Sequence, residues 1–242
     1  MKEIIKKFPI IRNWVKKLND NYVRTEWVKT KLKNLSANSK ILDAGCGSQQ
    51  YRKFCDHLNY KGQDFGKYTV DQKKIIGSKD DGLGANLDYD YGKLDYIGNV
   101  WNINEDDNFF DVILCTEVLE HITKPINTIK EFSRLLKPGG TLILTAPSNC
   151  LRHMDPYFFY TGFSDRWFEK ILIENGFVIK EIQQIGDYYS WLSTEMARTI
   201  LNHNFFTKLI LFPAFLYFYY KKETKKSLDT LCSGYHVLAI KK

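Results

Sequence analysis

The sequence has no apolar segment of the roughly 20 residues that a helix needs to cross a bilayer. An unbroken apolar and aromatic run covers residues 209–220, which is too short, and lysines and Arg12 interrupt the hydrophobic residues of the N-terminal segment. We therefore expect neither a membrane span nor a signal peptide. The five cysteines include no Cys-x-x-Cys pair, and this usage predicts a reduced, cytoplasmic protein with buried thiols.

The sequence also lacks a continuous basic stripe, an RNA-recognition signature and any zinc-ligand spacing. The formal net charge of +7 comes largely from lysines near both ends, so a nucleic-acid partner is not expected. A chain of 242 residues with 44% apolar content is long enough for one α/β domain with a full core.

Residues 39–48 have the pattern of a buried strand that breaks into a glycine-bearing turn. Such a turn lets the backbone approach a ligand closely, at the sheet edge where open α/β folds bind ligands. Asp64 follows Asp43 by 21 residues, a spacing suited to a carboxylate that accepts hydrogen bonds from ribose hydroxyls. The third glycine of a dinucleotide site is replaced by Gln49, which weakens an NAD assignment but leaves it open beside an adenosylmethionine site.

Two later blocks separate these alternatives. Residues 109–121 have the pattern of a buried strand that runs into a Leu-Glu-His helix start, and residues 132–147 that of a helix, a Pro-Gly-Gly turn and a strand. In this order the blocks resemble the class I S-adenosylmethionine-dependent methyltransferases over about residues 36–186 and the last strand. Segments 63–65, 153–163 and 234–242 also resemble methyltransferases of bacterial surface-glycan biosynthesis.

The resemblance implies a Rossmann-like, doubly wound sheet of about seven strands, mostly parallel with an antiparallel last strand, and helices on both faces. It implies S-adenosylmethionine as the cofactor and S-adenosylhomocysteine as the product. The residues that it assigns to cofactor binding are Asp43, Ala44, Gly45, Cys46, Gly47, Asp64, Phe65, Asn99, Val100, Cys115 and Thr116. Asn99 replaces the usual aspartate that receives the adenine amine, and its carbonyl could accept the same hydrogen bond.

The acceptor implied is a small molecule or a glycan precursor, methylated at oxygen. Removing a hydroxyl proton calls for a base, and His121 and His153 are the candidates, with packing on a helix face as the alternative for His121. The helix macrodipole alone accounts for Glu117 and Glu120 near a helix start, so no metal site is predicted. An RNA or lipid methyltransferase, an NAD-dependent oxidoreductase and a non-catalytic cofactor-binding protein remain alternatives.

We predict a basic helical extension or cap over residues 1–35 and a methyltransferase domain over 36–242, with a helical insertion at 187–231. The predicted strands are 40–44, 59–64, 95–99, 110–115, 140–146 and 177–182, and the predicted helices are 48–58, from 118 onward, and 164–175; residues 66–94 are predicted to be irregular. The run 209–220 is predicted to be a helix that covers the domain or forms a homodimer contact. Peripheral membrane contact through 1–19 and 205–226 is the alternative.

Overall fold

The computed structural model describes residues 20–67, 90–154 and 156–242. The predictions for residues 1–19 and for most of the irregular stretch 66–94 lie outside the described residues. Seven strands form one sheet in the order β3-β2-β1-β4-β5-β7-β6. The strands are β1 Lys40–Ala44, β2 Asn59–Asp64, β3 Tyr96–Ile97, β4 Phe110–Thr116, β5 Leu136–Pro147, β6 Phe177–Ile185 and β7 Gly234–Lys241.

The strand directions confirm the predicted fold class. Strands β1 to β5 pair in parallel, whereas β7 runs antiparallel to both β5 and β6. The described helices are α1 Asp20–Lys33, α2 Pro125–Leu135, α3 Asp165–Glu174, α4 Tyr188–Asn202, α5 Phe205–Tyr220 and α6 Lys225–Thr230.

Alternating side chains of the central strands fill two separate cores. Leu42 and Ile113 belong to one core with residues of α2 and α3, while their neighbours Ile41 and Val112 belong to the other with Val28 of α1. Successive side chains of a strand point to opposite faces. Helices therefore cover both faces of the sheet, as predicted.

The segment after β1 differs from the predicted helix 48–58. It forms turns and a short 3-10 helix, Arg52–Phe54, because Gln49 adopts a left-handed conformation with φ +56° that an α-helix cannot include. The Gln49 side chain donates hydrogen bonds to the carbonyl oxygens of Tyr91 and Lys93 at 2.6 and 3.0 Å, which ties this turn to the segment before β3.

The helix predicted from residue 118 is also divided. A 3-10 helix covers Leu119–His121, and α2 begins only at Pro125. Proline fits the first turn of a helix and disfavours helical dihedrals in the residue before it, so the break at Lys124 follows from the sequence. Strand β3 is shorter than predicted, and β5 and β6 are longer.

Helices α4 to α6 connect β6 to β7. The Asp187 carboxylate caps α4 by accepting from the Ser190 amide at 2.9 Å, and the Asn204 side chain caps α5 in the same way. Helix α5 packs on α4. No helix among the described residues has the length and hydropathy required of a membrane span.

Candidate active site

The candidate site lies at the carboxyl ends of β1, β2 and β4. The strand order reverses between β1 and β4, and ligands of open α/β sheets bind in the crevice at such a switch point. The loop after β1 contains Gly45 and Gly47, Asp64 ends β2, and Glu117 follows β4. The chain order of the motifs thus brings them to one edge of the sheet.

The glycine loop needs its glycines for both conformation and space. Gly45 has φ +71°, and a Cβ added there would lie 2.4 Å from Val118 Cγ2. The Gly45 amide donates to the backbone oxygen of Gln63 at 2.8 Å and to its side-chain Oε1 at 3.1 Å. Gln63, which was noted only as part of the segment 63–65 and was given no role, therefore fixes the loop.

A cavity of about 280 Å³ opens beside this loop. The predicted residues that line it are Gly45, Gly47, Asp64, Phe65, Asn99, Val100 and His121. Ala44 and Cys115 are fully buried, and these two residues, with Asp43, Cys46 and Thr116, are not among the lining residues. Lining residues that the sequence did not single out include Gln63, Gly98, Trp101, Val118 and Tyr157.

The Asp64 carboxylate is held in place by backbone amides. Gly47 N donates to Oδ2 at 3.0 Å and Gly66 N donates to Oδ1 at 3.1 Å. Burial raises the pKa of Asp64, and these backbone hydrogen bonds oppose the rise. A carboxylate has about four acceptor sites, so Asp64 keeps acceptor capacity on the cavity side for ligand hydroxyls.

We expect Asp64→Ala to weaken cofactor binding by roughly 1.5–3 kcal/mol, because it removes a charged hydrogen-bond acceptor. Isothermal titration with adenosylmethionine measures the loss, and a thermal melt checks that the variant is folded. Asp56→Ala, a carboxylate just before β2 that does not line the cavity, is the control. Unchanged affinity in folded Asp64→Ala would remove Asp64 from the site.

Asp43 supports the loop from beneath the cavity. Its carboxylate is 1% exposed and accepts a hydrogen bond from the Tyr60 hydroxyl at 2.7 Å. Burial raises its pKa to about 7, and the charge of Asp64 adds to the rise. The Asp43 side chain is therefore a buried structural group in this structure.

The raised pKa of Asp43 predicts a pH-dependent stability. The folded pKa of about 7 exceeds the unfolded value, so the folded protein holds the Asp43 proton more tightly than the unfolded chain does. This difference adds fully to the free energy of unfolding below about pH 4, and the contribution is lost as pH rises through 7. Asp43→Asn removes that loss, so the free energy of unfolding of the wild type should fall relative to the variant by up to about 4 kcal/mol between pH 4 and 8. Urea unfolding of both proteins across this range tests it, and parallel pH profiles would contradict it.

A second group of polar residues lies beyond β4. Glu117 has φ +53°, which is strained for a residue with a side chain. Its Oε1 accepts from Thr145 Oγ1 at 2.9 Å, and its Oε2 lies 3.1 Å from Arg24 Nη1 of α1. Helix α1, which the sequence analysis placed in an extension, therefore contributes a charged side chain to the edge of the site.

Glu120, His121 and His153 lie together beside Glu117. His121 Nδ1 is 2.7 Å from the carbonyl oxygen of Tyr157, so this nitrogen carries the proton and Nε2 keeps its lone pair. Burial and the neighbouring His153 lower the pKa of His121 to about 4. The centroids of the His121 and His153 rings are 4.7 Å apart, so the structure brings both predicted histidines together.

A second cavity of about 260 Å³ adjoins this group. It shares Glu117 with the first cavity, whereas His121 lines only the first and His153 only the second. Arg24, Arg152 and Arg198 also line the second cavity, together with acidic and hydroxyl groups. The histidine pair thus stands between a mainly apolar cleft and one that also carries charged side chains.

The fold and the cleft define a class of α/β proteins that bind a nucleoside cofactor at the switch point. Residues 20–193 match the family described as "Methyltransferase domain", and the chain belongs to this family. Its fold is the one that class I S-adenosylmethionine-dependent methyltransferases share. The first cavity suits this cofactor, because the backbone at Gly45 leaves no room for a side chain and Asp64 keeps acceptor capacity for ribose hydroxyls.

A curated relative is named as a methyltransferase. The chain is 29% identical over 125 residues to the ubiquinone biosynthesis O-methyltransferase of Xanthomonas oryzae pv. oryzae, a match that covers 52% of the chain and 49% of that protein. The chain thus spans about half the length of the curated relatives that it matches.

Two solved structures share the fold at low identity. One is a putative sarcosine dimethylglycine methyltransferase from Galdieria sulphuraria, with a TM-score of 0.56, 15% identity and coverage of 90% of this chain and 85% of that one. The other is the phosphoethanolamine N-methyltransferase 2 of Haemonchus contortus in complex with S-adenosyl-L-methionine, with a TM-score of 0.53, 15% identity and coverage of 91% and 52%.

Proposed function

We propose that this methyltransferase methylates an oxygen of a polar small molecule or glycan precursor. The observation that carries the proposal is the histidine pair between the two cavities, because an imidazole there can help to remove a hydroxyl proton. The relatives named O-methyltransferases support oxygen as the acceptor atom. With the family shown, the NAD-dependent alternative is set aside.

In this proposal each of the two cavities binds one of the two substrates. We assign the cofactor to the first, with Asp64 at the ribose, Phe65 and Asn99 near the adenine, and the glycine loop at the methionine portion. The bound cofactor supplies an already activated methyl group. The protein's main task is then to align the acceptor, which contributes up to roughly 7–11 kcal/mol in model reactions.

The acceptor occupies the second cavity in this proposal. Arg24 already pairs with Glu117, and Arg198 Nε lies 3.2 Å from Glu195 Oε1. These balanced charges form a polar wall that suits hydroxyl-rich acceptors better than hydrocarbon ones. The other predicted cofactor-binding residues contribute only backbone contacts or support of the cofactor loop. They are Asp43, Ala44, Cys46, Cys115 and Thr116.

The test measures which atom is methylated. The protein is incubated with adenosylmethionine carrying a labelled methyl group and with matched acceptors, namely catechols, hydroxylated sugars and nucleotide sugars, and amines of similar size. We expect S-adenosylhomocysteine and a product methylated at oxygen, as identified by tandem mass spectrometry. Methylation of the amines alone would overturn the proposal, and Asp64→Ala serves as the cofactor-deficient control.

We also propose that helix α5 brings the enzyme to a membrane surface carrying anionic lipids. Phe215 and Tyr219 face the protein, but the opposite side of α5 is exposed, with Phe206 at 73%, Ile210 at 73% and Tyr217 at 58%. Aromatic and apolar groups beside cations are typical of interfacial helices. The flanking cations are Lys208, Lys221, Lys222, Lys225 and Lys226.

Co-sedimentation with vesicles tests this surface. We expect the protein to bind vesicles of phosphatidylglycerol more tightly than vesicles of phosphatidylcholine, and Ile210→Glu to reduce that binding at least tenfold. Ile173→Glu on α3, a position 56% exposed, is the matched control. A stable homodimer that Ile210→Glu disrupts, without vesicle binding, would assign the surface to a second copy instead.

We also propose the domain organisation and the cellular location of the protein. Residues 36–242 form the methyltransferase domain, and the segment 187–231, which contains α4 to α6, is its helical insertion. A cytoplasmic location is supported by five free cysteines, of which Cys46, Cys55, Cys115 and Cys232 are buried.

A further inference from the structure

His236 is a buried histidine on an interior strand of the sheet. It lies on β7 opposite Thr145 of β5 and Gln183 of β6, and its ring packs against Trp27 of α1 with 4.7 Å between the two ring centroids. The residue is 4% exposed and lines the second cavity. The sequence analysis noted the segment 234–242 but gave this histidine no role.

The imidazole of His236 has unused hydrogen-bonding capacity. Its Nδ1 is buried and has no hydrogen-bond partner in the described part of the structure. Burial lowers the pKa of His236 to about 4, so the ring is neutral near pH 7 and offers one donor and one acceptor. A buried polar group without a partner destabilises the fold. Such a group in the wall of a cavity indicates a ligand that supplies the missing hydrogen bond.

Arg24 of α1 provides a second observation at the same cavity. Its Nη1 lies 3.1 Å from Glu117 Oε2, and its Nη2 donates to Asn21 Oδ1 at 3.3 Å. Its Nε, however, is buried and has no hydrogen-bond partner among the described residues. Arg24 also lines the second cavity and is close enough to His236 to help lower the pKa of that histidine. Two nitrogen atoms with unused hydrogen-bonding capacity therefore belong to one cavity wall.

These two residues are separated from the place of methyl transfer. Glu117 lines both cavities and His121 lines the first, whereas Arg24 and His236 line only the second. With the reacting oxygen beside His121 and the cofactor in the first cavity, the group that meets His236 is a different part of the acceptor molecule.

The chemistry of the second cavity indicates what that group is. A neutral imidazole and an arginine N–H suit a hydroxyl group, which both donates and accepts hydrogen bonds. An anionic group would instead meet the carboxylates that line the same cavity, Asp20, Glu117 and Glu195. The Trp191 ring also lines the cavity and offers an apolar surface for the ring of a small molecule.

We propose that His236 and Arg24 are specificity-determining residues that hydrogen-bond a second hydroxyl group of the acceptor, one that is not methylated. The acceptor is then a ring with at least two hydroxyl groups, such as a sugar. This inference rests on the proposed function, because it places the acceptor in the second cavity. A site built to bond a hydroxyl discriminates strongly against an analogue that lacks it, because the polar groups of the site then stay unpaired.

The first experiment measures stability and needs no acceptor. His236→Phe keeps a ring against Trp27 and removes the unpaired polar atoms, so we expect the Tm to rise by roughly 2–4 °C. His236→Asn keeps a polar group near the position of Nδ1 and should show no such rise. His203→Phe, at an exposed position after α4, is the control and should melt as the wild type does. A lower Tm in both His236→Phe and the smaller His236→Leu would show a structural role and overturn the proposal.

The second experiment measures acceptor recognition in the same variants. UDP-glucose and catechol are the acceptors, and each is compared with analogues that lack one hydroxyl, namely monodeoxy UDP-glucoses and phenol. For the acceptor that is methylated, we expect His236→Phe to raise the KM at least tenfold with little change in kcat, and His236→Asn to restore part of the loss. The analogue without the bound hydroxyl should be a poor substrate of the wild type, and His236→Phe should scarcely distinguish it from the parent compound. The adenosylmethionine Kd should stay unchanged in both variants.

The outcomes separate this inference from the proposed function. Methylation at oxygen with an unchanged KM in His236→Phe would mean that an ordered water molecule satisfies the imidazole. That result would overturn the role of His236 and leave the O-methyltransferase function intact. Methylation of amines alone, with a higher Tm and a higher amine KM in His236→Phe, would overturn oxygen as the acceptor atom and support His236 as an acceptor-binding residue.

Discussion

Gly45→Val is expected to abolish binding of adenosylmethionine in a chain that still folds. The added Cβ would lie 2.4 and 2.8 Å from the two methyl carbons of Val118, and φ +71° is strained for a β-branched residue. The Gly45 amide would then leave its contacts with Gln63, and the loop would move into the cavity. Isothermal titration should detect no binding at concentrations far above the wild-type Kd.

Two comparisons distinguish the steric effect from general strain. Gly139 has a similar φ of +78°, but an added Cβ would meet no atom within 4 Å, so Gly139→Val should lower stability and leave cofactor affinity unchanged. Gly45→Ala combined with Val118→Ala removes both methyl groups that clash. This double variant should regain part of the affinity lost in Gly45→Ala; wild-type binding by Gly45→Val would show that the loop does not hold the cofactor.

His121→Ala is expected to lower turnover on the true acceptor by roughly 100- to 10,000-fold, the range for loss of a group that assists proton removal. Cofactor affinity should stay close to wild type, because the proposed cofactor contacts are those of Asp64 and the glycine loop. Steady-state kinetics with a hydroxyl acceptor gives kcat, and titration gives the cofactor Kd. His203→Ala is the control for loss of an imidazole, and a near wild-type kcat in His121→Ala would mean that alignment alone drives the reaction.

The fold was predictable because its signals are local. Apolar strands next to glycine turns, such as Ile41 and Leu42 before Gly45, identify parallel strands and the sheet edge where they end. The predicted helix over 48–58 failed at one residue, Gln49, whose left-handed conformation is stabilised by bonds to residues far along the chain. No local sequence pattern predicts such a long-range hydrogen bond.

Only the part of the candidate site around the first cavity could be predicted from the sequence. Gly45, Asp64 and Asn99 lie at or just after strand ends and line the first cavity, so motif spacing located them. The juxtaposition of Glu120 with His153 depends on how the loop after β5 packs against the 3-10 helix Leu119–His121, and the pairing of Arg24 with Glu117 depends on where α1 docks. These are tertiary contacts that no local sequence pattern encodes.

The walls of the second cavity come from widely separated parts of the chain, including α1, α4, the loop after β5 and the start of β7. The cofactor loop, by contrast, is built from a short continuous segment and its neighbouring strands. With the acceptor in the second cavity, as proposed, exchange of peripheral helices would alter acceptor preference and leave the binding of the methyl donor unchanged. Chimeras that swap α1 or α4–α6 between family members offer the same modular route to engineers who want a new acceptor on an unchanged catalytic frame.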